Sequence, residues 1–506
     1  MDYFLLVLAT LLFLGVFLLR KYTWRTNLPP GPPVLPCIGN LHQLEYSSPL
    51  YHQLWKLSQK YGPLMSLRLG FTPVLVVSSS KMAKQVLKTH DAEFASRPPF
   101  LSFKKLSYNG LGVAFAPYND SWREMRKICI LHLFSPKRVQ SFRPIRENEV
   151  SKLIKKIGRN ASDSKFVNLS EMLILFSNTI ITRIAFGSSY DEESSERSMF
   201  ENLLSDSQAV SANFFFSDYF PCLSWVDRLT GGLTRLEKTF KALDSFYQGM
   251  VDEHKSDEKR GNSKKLGQED FIDVLLQLQK DGSSPIKLTF DHIKAVLQDI
   301  FTAGTDTSAA TLVWAMTELV KNPNTMEKAQ QEIRNIAGNN GSTIHENDLQ
   351  ESCYLQAVIK ETMRLHPPAP LLVPHETTQK CNIFEYEIPP KTVVHVNAWA
   401  IGRDPDSWEN PDKFLPERFI GNSIDFRGRD FELIPFGAGR RGCPGLHMGV
   451  ATVEFALANL LYWFNWELPD GMKQEDIDTD VKPGITMHKK NPLCLMPRKW
   501  SGNLDE

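Results

Sequence analysis

The run Pro435-Phe436-Gly437-Ala438-Gly439-Arg440-Arg441-Gly442 leads into Cys443, with Pro444 and Gly445 behind it. Apolar residues at Val450, Val453, Leu457, Leu460 and Leu461 then recur at helical spacing, so an amphipathic helix follows the loop. Proline suits the first turn of a helix, which puts Cys443 at the positive end of the helix dipole, where a thiolate is favoured. Gly437, Gly439, Gly442 and Gly445 let the backbone come close to something flat or bulky. Backbone amides can hydrogen-bond the sulfur, and Arg441 can pair with an anionic group of the same ligand. Two plainer readings compete. A glycine-rich anion nest with an incidental cysteine lacks the Lys-Ser/Thr ending of a phosphate loop, and a lone nucleophile has no base near it in sequence.

Three other clusters have spacings that matter. In the stretch from Asp299 to Ser308, Ala303 and Gly304 lie one helical turn before Thr307, with Asp306 beside it, so small residues and a hydroxyl share a face. A glycine inside a helix costs about 1 kcal/mol relative to alanine, and close approach of another group can offset that. Helix–helix packing through small residues explains the same spacing equally well. Glu361 and Arg364 are three apart on one helix face, which by spacing alone is a surface ion pair. Trp122 and Arg126, one turn apart, read alone as a helix edge or a cation–π pair.

These residues sit far apart, so the fold must gather them. Long helical patterns run over residues 290–321, 347–365 and 446–461. Short β-favouring runs at 65–70 and 73–78 flank a turn, a helical stretch follows at 81–90, and 393–396 adds a β-branched run to the same sheet region. The fold class is mainly α with a small β region. A charged, polar stretch over 252–269 reads as a surface connection.

Residues 3–19 carry no charge and are just long enough to cross a bilayer core of about 30 Å. Arg20, Lys21 and Arg25 follow the run rather than precede it, which favours an anchor over a cleaved signal and keeps the body cytosolic. The expected organisation is a single membrane anchor over 1–20, a basic, proline-rich hinge over 21–40 and one catalytic unit over 41–506. The 58 basic and 58 acidic residues cancel, which argues against nucleic acid as a partner. Seven scattered cysteines, none in a C-x-x-C pair, are neither a disulfide framework nor a zinc site.

With these residues in view, the chain resembles the cytochrome P-450 family, whose cysteine motif is Phe-x-x-Gly-x-Arg-x-Cys-x-Gly. Phe436, Gly439, Arg441, Cys443 and Gly445 fill every fixed position. The resemblance implies the cytochrome P-450 fold and a haem b cofactor. Cys443 would be the axial iron ligand, Phe436 would lie beside the haem and Arg441 near a propionate. Trp122, Arg126 and His375 would also face the propionates. The 299–308 helix is similar to the family's oxygen-activation motif, with Thr307 positioning water at dioxygen and Asp306 helping to relay protons. Glu361, Arg364 and Arg418 match a structural triad behind the cysteine loop.

The implied reaction inserts one oxygen atom into an organic substrate, the other leaving as water. No flavin or nicotinamide fingerprint is visible, so electrons come from an NADPH-dependent cytochrome P-450 reductase on the same membrane, with cytochrome b5 as an optional second donor. Arg123, Lys127, Lys137 and Arg440 are candidate contacts for that partner, or equally a solvated face. Phe100, Phe115, Phe215, Phe301, Ala303, Leu371, Leu372 and Ile485 fall where relatives line the substrate pocket, which favours a small hydrophobic metabolite. The resemblance is closest to plant microsomal members, implying an endoplasmic reticulum membrane location and plant specialised metabolism. A haem-thiolate isomerase or dehydratase working on a peroxide or oxime without O2 is the alternative, and a haem sensor a further one. The intact 303–307 segment and uninterrupted cysteine loop argue against the first; no visible regulatory domain supports the second.

Overall fold

The computed structural model describes residues 10, 27–45, 48–187, 195–259, 269–282, 284–338 and 344–500. The anchor expected over residues 1–20 lies outside these but for residue 10, as does part of the charged stretch at 252–269. The proline run that follows is fastened to the body. The Pro29 and Pro30 carbonyls accept from the Ser66 hydroxyl (2.7 Å) and amide (2.9 Å). The Asn40 side chain donates to the carbonyls of Pro32 and Pro33. Prolines cannot donate, but their carbonyls are free to accept, so the run lies along the sheet edge.

That sheet has four strands. β1 (Leu64–Leu69) pairs antiparallel with β2 (Thr72–Val77), Leu64 opposite Val77. β2 pairs parallel with β4 (Val393–Val396), Val74 opposite Val393, and β3 (His375–Glu376) closes the other edge against β4. β4 is buried throughout, three of its four residues being valine. The pairing fixes His375 opposite Val394 and so sets where its ring points.

Helices make the rest. α1 spans Asp120–Ile128, α2 Leu169–Phe186, α3 Phe290–Lys321, α4 Cys353–Leu365 and α5 Leu446–Trp463. α3 starts where Thr289 accepts the His292 amide and ends at Asn322, before Pro323. It is buried on nearly every face, which makes it the central core helix. α2 is the only described helix long and apolar enough to cross a bilayer, and 61% of it is buried inside the protein, so it is a core helix. It packs directly on α3: a Cβ on Gly304 would come within 2.6 Å of Ile181 Cδ1, so the glycine answers to helix packing.

The single helix expected over 347–365 is two pieces. A short turn, Glu346–Glu351, is separated from α4 by Ser352, whose hydroxyl donates to the Leu349 carbonyl at 2.6 Å. A local serine bond competes with the helical ladder there, and the Glu332 carboxylate takes the freed amides of Tyr354 (2.7 Å) and Leu355 (2.8 Å).

Candidate functional site

The cysteine loop ends one residue before α5, whose first residue is Leu446. The loop closes on itself where the Cys443 amide donates to the Phe436 carbonyl at 2.8 Å, bringing ring and sulfur to one wall of a cavity. Gly437, at φ +68°, and Gly445 line that wall too. Cys443 is exposed to the cavity it lines. Burial pushes its thiol up, against the Gly445 amide and the Arg126 charge that hold it down.

Three guanidiniums gather beside it. Arg441 is buried and donates to the carbonyls of Ala95 (2.6 Å), Val113 (3.2 Å) and Ala116 (2.7 Å). Arg97 donates to Ala114, Val373 and Pro374, and Arg126 to the Gly442 carbonyl at 2.6 Å. All three line the cavity, and no carboxylate among the described residues pairs with any of them. Burial and then mutual repulsion push Arg441 down to about 8, and burial with the charge of Arg126 pushes Arg97 down to about 9. A guanidinium does not shed its proton at neutral pH, so such a cluster instead calls for an anion.

Trp122 does not line this cavity. Its Nε1–H donates to the Val113 carbonyl at 3.0 Å, and its ring carries the Arg441 guanidinium 3.9 Å from its centroid and Arg126 at 5.6 Å. It supports the cations from behind. His375 does line the cavity, with Nδ1 2.8 Å from the Phe94 carbonyl. Burial, then the Arg97 charge, hold it well below its ordinary value, so the ring is neutral with Nδ1–H donating.

α3 forms the opposite wall through Ala303, Gly304 and Thr307. The Thr307 hydroxyl donates to the Ala303 carbonyl at 2.7 Å, leaving its lone pairs to the cavity. Asp306 points elsewhere, to His488 on the C-terminal loop. Behind the cysteine loop, Arg364 makes a bidentate pair with the fully buried Glu361 (2.7 and 2.8 Å), and Arg418 reaches the same carboxylate at 3.1 Å. The sequence spacing suggested a surface pair; burial makes it a core network.

Of the expected pocket residues, Ala303 and Leu372 line the cavity, whereas Phe100, Phe115, Phe215, Phe301, Leu371 and Ile485 are not among its lining. Phe215 and Phe301 are sunk in the helical core, and Phe115 stacks on Phe103 with centroids 4.1 Å apart. Phe134 and Phe436 are the phenylalanines that line the cavity, beside smaller side chains such as Val113, Ala114 and Val296. Arg97 and Asp299 reach the site without having been singled out for a role. Arg97 precedes Pro98-Pro99, and no spacing distinguishes it. Arg123, Lys127, Lys137 and Arg440 are all exposed; Arg123, Lys127 and Arg440 have acidic neighbours at Asp120, Glu124 and Asp91.

A family model described as Cytochrome P450 matches residues 29–496. The chain belongs to the cytochrome P450 family. It is 48% identical to the 6,7,8-trihydroxycoumarin synthase of Pastinaca sativa, over 98% of this chain and 99% of that one. Against Cytochrome P450 71A1 of Persea americana the identity is 49%, over 97% and 99%. It is 48% identical to the 5-OH-xanthotoxin synthase of Pastinaca sativa, over 96% of each. A solved zebrafish cytochrome P450 with progesterone superposes with a TM-score of 0.74 at 26% identity, over 89% of this chain and all of that one. This cytochrome P450 is thus an oxidoreductase of the monooxygenase type, and haem b is its cofactor. The residues present fit that group: a sulfur facing a cavity, and unpaired buried guanidiniums suited to two carboxylates on one edge of the ligand.

Proposed function

We propose that this cytochrome P450 inserts one atom of O2 into a small hydrophobic plant metabolite, with electrons delivered by an NADPH-dependent reductase and, as a second donor, cytochrome b5. Bound haem would supply the oxygen-activating chemistry, the thiolate pushing electron density toward O–O cleavage. Cys443 would hold it from below, Arg441, Arg126 and Arg97 would take its carboxylates, and Phe436 would pack beside it. Trp122 steadies the cations, and His375 would meet an anion only on gaining a second proton. Thr307, its hydroxyl resting on Ala303, accepts a hydrogen bond from water in the cavity and passes a proton by rotating. Asp306 joins that relay by turning from His488.

The observation that supports this reading is Cys443 opening onto the cavity that Arg97, Arg126 and Arg441 share. Two relatives at 48% identity are named for making 6,7,8-trihydroxycoumarin and 5-OH-xanthotoxin, so planar aromatics of coumarin size are the substrate class to screen first. The uncharged run at 3–19 with Arg20, Lys21 and Arg25 behind it supports an anchor in the endoplasmic reticulum membrane and a cytosolic body.

The deciding experiment is the reduced carbon-monoxide spectrum of native protein and Cys443→Ala, expressed in membranes, followed by product assays with and without reductase, NADPH and O2. A red-shifted thiolate-type Soret band lost in the variant, with product requiring all three reagents, is expected. The same band in both proteins, or product formed without O2, would overturn the proposal.

A further inference from the structure

Asp299 is the one acidic side chain among the described residues lining the cavity. It lies on α3 between Val296, Ile300 and Ala303, all on the same wall. One of its oxygens, Oδ2, accepts the backbone N–H groups of Val113 (2.6 Å) and Ala114 (3.0 Å), which ties the 112–114 segment to α3. The approach is so tight that a Cβ on Gly112 would collide with that oxygen. The other oxygen, Oδ1, receives no hydrogen bond from any described residue. A loop tie needs only one oxygen, so the second is left over.

An acceptor in an apolar enclosure costs free energy until a donor reaches it, and the nearby guanidiniums already serve backbone carbonyls. We infer that Asp299 is a specificity-determining residue: Oδ1 receives a hydrogen bond from a hydroxyl or amino group on an otherwise apolar substrate. At about 1.5 Å per residue, Asp299 stands roughly 6 Å before Ala303 and roughly 12 Å before Thr307 along α3. The anchored group would thus sit at the far end of a bicyclic aromatic from the atom that is oxidised. Burial raises this carboxyl to about 6, against the two amides and Arg441, so near neutral pH it is an ionised and therefore strong acceptor. The inference rests on the oxygenase reading for what happens next, but not for the binding itself.

The test is optical titration of haem-loaded protein with three probes: a hydroxycoumarin, its methyl ether and the matching aminocoumarin. Native protein should bind both donor-bearing probes about tenfold more tightly than the ether, the size of a hydrogen bond to a charged group. Asp299→Asn keeps an oxygen for the Val113 and Ala114 amides but changes what faces the cavity, and should bring the ratio to within about twofold. Hydrogen exchange at those two amides reports whether the loop tie survives. Equal affinities in native protein, no binding by any probe, or a preference that persists in the variant with the tie intact would overturn the inference. If the variant loses its haem, the native ratio decides. Protein with the preference but no NADPH- and O2-dependent product would sink the oxygenase reading alone; an oxygenase indifferent to the donor would sink only this one.

Discussion

Oδ1 of Asp306 lies 2.5 Å from Nε2 of His488, which turns Asp306 away from the cavity that its neighbour Thr307 lines. The contact joins the middle of α3 to the C-terminal loop, where the Met487 carbonyl also takes the Nε1–H of Trp314 at 2.7 Å. His488→Ala leaves a nearly buried carboxylate without its partner and should cost about 1 to 3 kcal/mol. Urea unfolding of the haem-loaded protein measures this. Adding Asp306→Asn should recover part of the loss; strict additivity would mean that the two side chains do not interact.

Arg441 should matter for holding haem through charge rather than shape. Arg441→Gln is expected to speed haem loss to an acceptor protein about tenfold, the loss of one charge-assisted hydrogen bond. Haem dimethyl ester, which lacks the carboxylates, should leave native and variant protein at the same rate. A variant that loses the ester faster as well would assign Arg441 to packing the loop.

In the buried triad, Glu361→Ala strands Arg364 in the core and should destabilise by about 3 to 5 kcal/mol, seen as a lower Tm and less haem incorporated. Arg364→Lys should not rescue. Arg364 also serves the carbonyls of Gly402 (2.5 Å), Pro411 (2.6 Å) and Lys413 (3.0 Å), and an ammonium cannot span that fork.

Asp218 makes a similar backbone tie, accepting the Leu101 amide at 2.8 Å. Burial raises its carboxyl to about 7, against that amide, with Asp227 adding to the rise. The folded protein therefore holds a proton that the unfolded chain has already released, and this stabilisation is full at low pH and lost as pH rises through about 7. Relative to Asp218→Asn, native protein should lose stability between about pH 4 and pH 7. A flat difference across that range would show that Asp218 does not titrate on unfolding.

The parts legible in the sequence are those whose signal is local. The cysteine loop and α5 are contiguous, and α3 shows its bounds through a capping threonine and a following proline. The sheet was visible as β runs, but its parallel pairing of Val74 with Val393 joins residues more than half the chain apart. Arg97 escaped notice because its partners, Val373 and Pro374, are equally remote. Trp122 facing the ligand is what the family resemblance implied; the spacing alone gave the cation–π contact, and the ring does lie against the Arg441 guanidinium. The pocket aromatics were likewise placed by resemblance rather than by a local signal, and Phe301 packs against Phe186 in the core.

The lining of that cavity bears on how such an enzyme changes substrate. Val113, Ala114, Val296, Ile300 and Ala303 contribute small apolar side chains to its lining, while Phe115 and Phe301 lie outside that lining. Adding or removing a methyl group at these positions alters the available shape by small steps, and the Phe103–Phe115 stack and the buried Phe301 are untouched. A new selectivity can therefore be reached through single substitutions that each leave the scaffold intact, so that variation in preference and retention of fold are governed by different sets of residues.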